Sequence, residues 1–234
     1  MSKINEGVIL KTVDYSENDK IITIFTEYGV VTVIAKSLKN GKRANFIDIG
    51  NYISYQIVQT KGLPILTSVR LINSYPEDKE KYPFYLMFIV EVILKIQRND
   101  QDEKDLFSLI IFSLSHIFEN PKLYLFLFIT KLLIIEGVFI DLNNCLKCGD
   151  KFSEKDKIII SSEGIFHEMC TDSDLYISIK SLKLLKYLYN FNIKSDSIIN
   201  IDLDEKTSKE LQYYLLLILE NFLESDIKSK KYLY

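Results

Sequence analysis

The sequence predicts an α+β multidomain protein: a small β-barrel, then a helical domain into which a cysteine-rich knuckle module is inserted. Three observations carry that reading. β-branched runs separated by Gly, Pro and polar clusters occupy residues 1–75, and long apolar segments of helical spacing begin after Pro83. Every cysteine falls within 141–174, where the helical periodicity lapses. The expected boundaries are a barrel over 1–80 and a helical domain over 81–234, with the module over 141–174.

Val8-Ile9-Leu10 opens the β-region and leads into a polar loop, Asp14 to Lys20. The runs Ile21–Thr26 and Val30–Ala35 flank Glu27-Tyr28-Gly29, where Gly29 can take the positive φ of a tight hairpin. A second pair, Tyr52–Gln59 and Leu66–Tyr75, is joined through Lys61-Gly62-Leu63-Pro64. About five short strands cannot form a large sandwich, and a closed or partly closed barrel leaves the fewest bare edges.

Helices are expected over Phe84–Gln97, Asp105–Phe118 and Lys122–Gly137, the last stopped by Gly137. Helical spacing resumes at Ser178 with Ile179, Leu182, Leu185 and Leu188. A Thr207-x-x-Glu210 capping box is expected to start a final helix that runs to about Leu223. Leu106–Ile140 is the most apolar region, yet Glu119, Lys122, Lys131 and Glu136 interrupt it, and a spanning helix needs about 20 nearly uninterrupted apolar residues. Buried helices and a cytoplasmic protein with no membrane partner are expected.

Composition narrows the function. With 8 Gly and 4 Pro among 234 residues, collagen-like and Pro/Gly-rich disordered classes are excluded. A net charge of −3 excludes a protein that coats nucleic acid by bulk positive charge, so any such site is a local patch. P-loop, nucleophile-elbow and His-Glu-x-x-His signatures are missing, and no catalytic residue is assigned. His116, in an apolar segment, reads as a core or edge histidine.

The sharpest spacing signal is Cys145-x-x-Cys148 followed by His167-x-x-Cys170. Each pair lets two side chains of one turn reach a single ion, and together they offer three thiolates and an imidazole, a tetrahedral shell suited to Zn2+. Gly149 and Gly164 fit the turns of such knuckles. Four protein ligands leave no open coordination position, so one structural zinc per chain is expected.

Between Tyr28 and Ile47 there is no Asp or Glu, while Lys36, Lys39, Lys42 and Arg43 fall there. Such a loop suits a phosphate backbone, with Lys11, Lys61 and Arg70 as further contacts and Tyr28, Tyr52 or Tyr55 as faces for stacked bases. A solvated loop that keeps an edge strand soluble is the bland alternative. Lys180/Lys183/Lys186 and Lys228/Lys230/Lys231 read as solvated helix faces.

Several segments resemble the family of the bacterial recombination mediator RecO. They are Glu6–Lys11 with Tyr15–Lys20 and Ile24-Phe25-Thr26, Gly137-Val138-Phe139 leading into Cys145–Gly149, and the ending Ile227–Leu233. The resemblance implies an amino-terminal OB-fold, a helical carboxy-terminal domain and a zinc module. It also implies a non-enzymatic role in DNA repair and homologous recombination through the RecF pathway. Members of the family bind single- and double-stranded DNA, anneal complementary strands and, with RecR, help RecA load on DNA coated by single-stranded DNA-binding protein (SSB). The Lys36–Arg43 loop becomes the expected DNA contact, and Lys131 the candidate that receives the acidic tail of SSB. A nucleoid-associated place in the cytoplasm follows from the same likeness. The chain departs from the family pattern twice: His167 stands where a cysteine is usual, and Ser37-Leu38 replaces a glycine-containing turn. The rival reading is a zinc-stabilised protein–protein adaptor with no direct DNA contact.

Overall fold

Five strands form a closed barrel in the order β1-β2-β3-β5-β4: β1 (Asn5–Asp14), β2 (Lys20–Thr26), β3 (Gly29–Ala35), β4 (Tyr52–Val58) and β5 (Ile65–Asn73). The computed structural model describes residues 4–36, 44–74, 82–96, 103–195 and 201–233. The barrel is the OB-like one expected. β1 is longer than the Val8–Leu10 run suggests because it has two neighbours: it pairs with β4 from Asn5 to Val8 and with β2 from Val8 to Asp14. Gly7 sits where those pairings meet, and a Cβ there would lie 2.3 Å from Ile24 Cγ2. The β2–β3 hairpin turns on Gly29 at φ 94°, with the Thr26 hydroxyl donating to the Gly29 carbonyl at 2.9 Å. Closure is a parallel contact, Ile34 opposite Ile65, with the Ile34 N–H donating to the Pro64 carbonyl at 2.8 Å. Ile9, Ile22, Ile24, Val33, Ile53 and Val69 fill the interior.

Two helices belong to the same compact unit. α2 (Lys104–His116) rests on the barrel through Phe107, whose ring meets Phe25 at 6.2 Å and Tyr52 edge-on at 6.1 Å. His116 behaves as an edge histidine, its Nδ1 2.8 Å from the Phe112 carbonyl. α1 (Tyr82–Ile96) is clasped by a 3-10 turn over Lys228–Tyr232, where Tyr232 stacks on Phe84 at 5.2 Å. The Glu91 carboxylate accepts the N–H groups of Lys228 and Ser229 and the Ser229 hydroxyl, at 2.8, 2.9 and 2.7 Å. By internal contacts residues 1–118 with 228–234 form one unit and 119–227 the other, so the change from strands to helices falls inside the first unit.

The second unit is built on α3 (Pro121–Ile135), which is buried from Leu123 to Thr130 and at Leu132 and Leu133, and which carries α4 (Ile179–Asn190) and α5 (Glu205–Leu223). Asn120 caps α3 by accepting from the Leu123 N–H. Gly137 ends it as expected: at φ 71° its N–H donates to the Ile134 carbonyl while that of Val138 donates to the Leu133 carbonyl, the paired hydrogen bonds of a Schellman motif. Ser178 caps α4. α5 corrects the sequence reading, because its cap is Asp204 rather than Thr207. Asp204 takes both the Thr207 N–H and hydroxyl, which frees Glu210 to accept from Ser178 and Ser181 at the start of α4. No described helix is long and apolar enough to cross a membrane. A three-stranded sheet, β7 (Ile165–His167), β6 (Ile158–Ile160) and β8 (Tyr176–Ile177), completes the unit, in a stretch whose sequence shows no strand periodicity.

Candidate metal centre and nucleic-acid interface

The first knuckle is a turn closed by the Cys145 N–H on the Asp150 carbonyl at 2.8 Å and the Gly149 N–H on the Cys145 carbonyl at 2.9 Å. Gly149 adopts φ 80°, the left-handed backbone that glycine tolerates best. The Leu146 N–H then donates to the Ile165 carbonyl at 2.9 Å, which ties this knuckle to β7. Gly164 serves close approach rather than the turn itself, since a Cβ there would lie 2.9 Å from Leu146 Cδ2. β7 ends on His167, and a 3-10 turn over Glu168–Cys170 brings round the last cysteine.

These turns converge. The donor atoms of Cys145, Cys148, His167 and Cys170 all lie within 4.8 Å of one another, and Cys148 Sγ is 3.4 Å from His167 Nδ1. For a tetrahedral ion with Zn–S of about 2.3 Å and Zn–N of about 2.0 Å, the S–N edge is about 3.5 Å, close to the Cys148–His167 separation, so this donor set could hold a metal. Cys145 is buried in a small core with Ile159 and Phe166. Burial pushes its thiol up, but the N–H groups of Cys148, His167 and Lys147 outweigh that and lower it, while the neighbouring Cys148 is raised in turn by Cys145 and Cys170. A thiolate is the form a metal binds. With four protein donors the centre can brace the β6-β7-β8 sheet.

Two neighbours of the imidazole carry no motif in the sequence and are supplied by the segment between the knuckles. Asp156 Oδ2 lies 3.4 Å from His167 Nε2, and the Phe152 ring lies 4.7 Å from the imidazole. A Ser153-x-x-Asp156 turn is the one sequence signal that announces such a carboxylate, and acids beside turns are too common to single it out.

On the barrel, Lys39, Lys42 and Arg43 lie outside the described residues. Lys36 follows β3 and is exposed, and Lys61 lies on the β4–β5 loop that the Ile34–Pro64 hydrogen bond holds against the end of β3. Lys20, opposite Ala35, joins this neighbourhood and was not singled out by sequence. Lys11 is exposed further along β1, opposite Thr23. Arg70 stands apart, about 16 Å along β5 from Ile65, in a cross-strand row with Ser54 and then Glu6. Of the tyrosines, Tyr28 is exposed, whereas Tyr55 lines the barrel core with its hydroxyl pushed by burial to about 12, which corrects its suggested role as a stacking face. Tyr52 is turned against Phe107 and donates to the Glu6 carboxylate. Lys180 pairs with Asp204 and Lys183 with Glu154, as solvated helix faces do. Lys131 is half-buried on α3, donates to the Tyr189 carbonyl, and has its pKa lowered by that burial.

Comparison with known proteins covers both units. The family model described as recombination protein O N terminal matches residues 1–75, and that described as recombination protein O C terminal matches 81–231. The DNA repair protein RecO of Bacillus subtilis (strain 168) is 28% identical over 243 residues, spanning 97% of this chain and 92% of its own. That of Clostridium perfringens (strain 13 / Type A) is 29% identical over 243 residues, spanning 96% and 92%. The Listeria monocytogenes protein of the same name is 25% identical over 238 residues, spanning 97% and 92%. The amino-terminal match ends just past β5 and the carboxy-terminal one runs from α1 through the cysteine cluster to the closing 3-10 turn, and with them the chain belongs to the recombination protein O family of DNA repair proteins.

Proposed function

We propose that this protein is a non-enzymatic mediator of homologous recombination that binds single- and double-stranded DNA without sequence preference and anneals complementary strands. With RecR it assists RecA loading on DNA covered by SSB. The match to both family models along the chain is the observation that carries this reading. The position of Lys36 beside the Lys61 loop supports a phosphate contact there, extended by Lys39, Lys42 and Arg43, with Lys11 and Arg70 as outlying contacts. Lysines at one barrel end lower the repulsion between two strands and let base pairing nucleate, so the bases carry the specificity. The metal held by Cys145, Cys148, His167 and Cys170 is zinc, in keeping with a donor set of three thiolates and an imidazole. Lys131 on α3 is the proposed contact for the SSB tail, its ammonium keeping donors beyond the one given to Tyr189.

Annealing of complementary oligonucleotides, bare and SSB-coated, tests the proposal. Replacing Lys36, Lys39, Lys42 and Arg43 together by Ala should slow annealing and reduce the log–log salt slope of single-strand binding by roughly two to three, at about 0.7 per phosphate contact. No DNA binding by the intact protein would leave the adaptor reading instead.

A further inference from the structure

The geometry around the imidazole points to a residue that governs the metal centre from outside it. We propose that Asp156 is a positioning residue for His167: it holds the ring so that Nδ1 faces the metal, and it supplies the negative charge that a fourth thiolate would have carried. This rests on the zinc reading above.

Asp156 is itself fixed. Its Oδ2 accepts the Ser153 N–H at 2.5 Å, and its own N–H donates to the Ser153 carbonyl at 3.2 Å. From that turn Oδ2 stands 3.4 Å from His167 Nε2, while Nδ1, on the other edge of the ring, faces Cys148 Sγ at 3.4 Å. Phe152, one residue before Ser153, packs against the imidazole with ring centroids 4.7 Å apart and planes at 40°. One short segment therefore supplies a carboxylate to the edge of the ring and an aromatic to its face. A carboxylate on the distal nitrogen fixes that nitrogen as the N–H donor, leaves the other as a lone-pair ligand, and raises its basicity.

Charge balance at the centre favours the same residue, whatever the orientation of the ring. A divalent ion with three thiolates and a neutral imidazole sums to −1, whereas four thiolates would give −2. Asp156 restores the missing charge next to the ligand that lacks it. The neighbouring Lys157 does not cancel it, because its ammonium is engaged by Glu168 at 2.9 Å.

The test uses the full chain and zinc itself, read by competition with a chromophoric chelator. Asp156→Ala should weaken zinc binding by about 10–100-fold, and Asp156→Asn, which keeps an acceptor but loses the charge, should fall between it and wild type. In a His167→Cys background, Asp156→Ala should change affinity by less than about threefold, since the imidazole it serves is gone. Nitrogen-15 spectra of the zinc-loaded wild type should show a single imidazole form with the proton on Nε2, and Asp156→Ala should lose that uniqueness. Wild-type protein that takes no zinc would defeat the zinc reading and this proposal with it. Wild type that binds while Asp156→Ala binds equally well overturns only the role of Asp156. An equal loss in the His167→Cys background would make Asp156 a general brace of the loop, which also overturns the proposal.

Discussion

Gly7 lies on β1 at the point where that strand leaves β4 and takes up β2, and the space beside it is already filled by Ile24 and the Phe25 carbonyl. A methyl group added there must push backbone as well as side chain. Gly7→Ala should therefore lower stability by about 1–3 kcal/mol, read as a shift of the denaturant midpoint. Gly62→Ala, with nothing nearer than the Thr60 hydroxyl at 4.0 Å, should shift it by less than about 0.5 kcal/mol. Equal shifts would show that close packing at Gly7 is not what limits the site. How crowded each glycine is cannot be read from sequence, since the atoms beside Gly7 come from residues 24–26 across the sheet. The four candidate metal donors were legible because ligand spacing is a local property of the chain. Asp156 was not, because its importance depends on a turn folding back onto a ring eleven residues later.

At the scale of elements, strands and helices were largely readable, since burial on one face imposes a period on each run. Caps were less so. Thr207 and Glu210 satisfy the capping-box spacing, but Asp204 offers the better acceptor one turn earlier and Glu210 is recruited by Ser178 and Ser181 on another helix. The three strands of the module escaped notice because two or three residues are too few to display alternation. Equally silent was the clasp between α1 and the 3-10 turn over Lys228–Tyr232, which joins residues 137 and 138 positions apart. Burial pushes the Glu91 carboxyl up, but the Ser229 hydroxyl and the N–H groups of Lys228 and Ser229, helped by Lys95, bring it below the usual range. A carboxyl depressed on folding stabilises the clasp above its unfolded pKa of about 4.3. That contribution is lost as pH falls below this value toward the folded pKa. Amide exchange of Ser229 should accelerate relative to the core of α1 below about pH 4. Glu91→Gln should remove that acid response while costing about 1–2 kcal/mol at neutral pH; a response that survives the substitution would locate the sensitive group elsewhere.

The molecule as a whole divides its stability between a barrel unit whose core is continuous apolar packing and a second unit whose knuckle module has a core of a few side chains around Cys145, Ile159 and Phe166. Binding of the proposed zinc would be coupled to local folding in so small a module. Chelation should therefore raise hydrogen exchange along Ile158–Ile160 and Ile165–His167 while leaving Ile22 and Ile24 in the barrel unchanged. Exchange that stays low in the module after the metal is stripped would show that the sheet holds itself. The expectation of a barrel, a helical region and a cysteine module was accessible from sequence because each has its own period or spacing. The grouping of α1 and α2 with the barrel was not, because it depends on particular partners such as Phe107 on Phe25 and Tyr232 on Phe84.

The clasp also sets an order of events when the chain is made. The first unit is interrupted after residue 118 and resumes only at 228, with the 109 residues of 119–227 between. A ribosome adding about 5–20 residues per second needs on the order of ten seconds to cross that gap. Throughout it Phe84 lacks its stacking partner and the Glu91 carboxylate lacks its donors, although the five barrel strands have all been synthesised. The intervening unit is fully translated before the clasp can close, and a nascent chain that stalls shortly before Lys228 carries α1 unclasped.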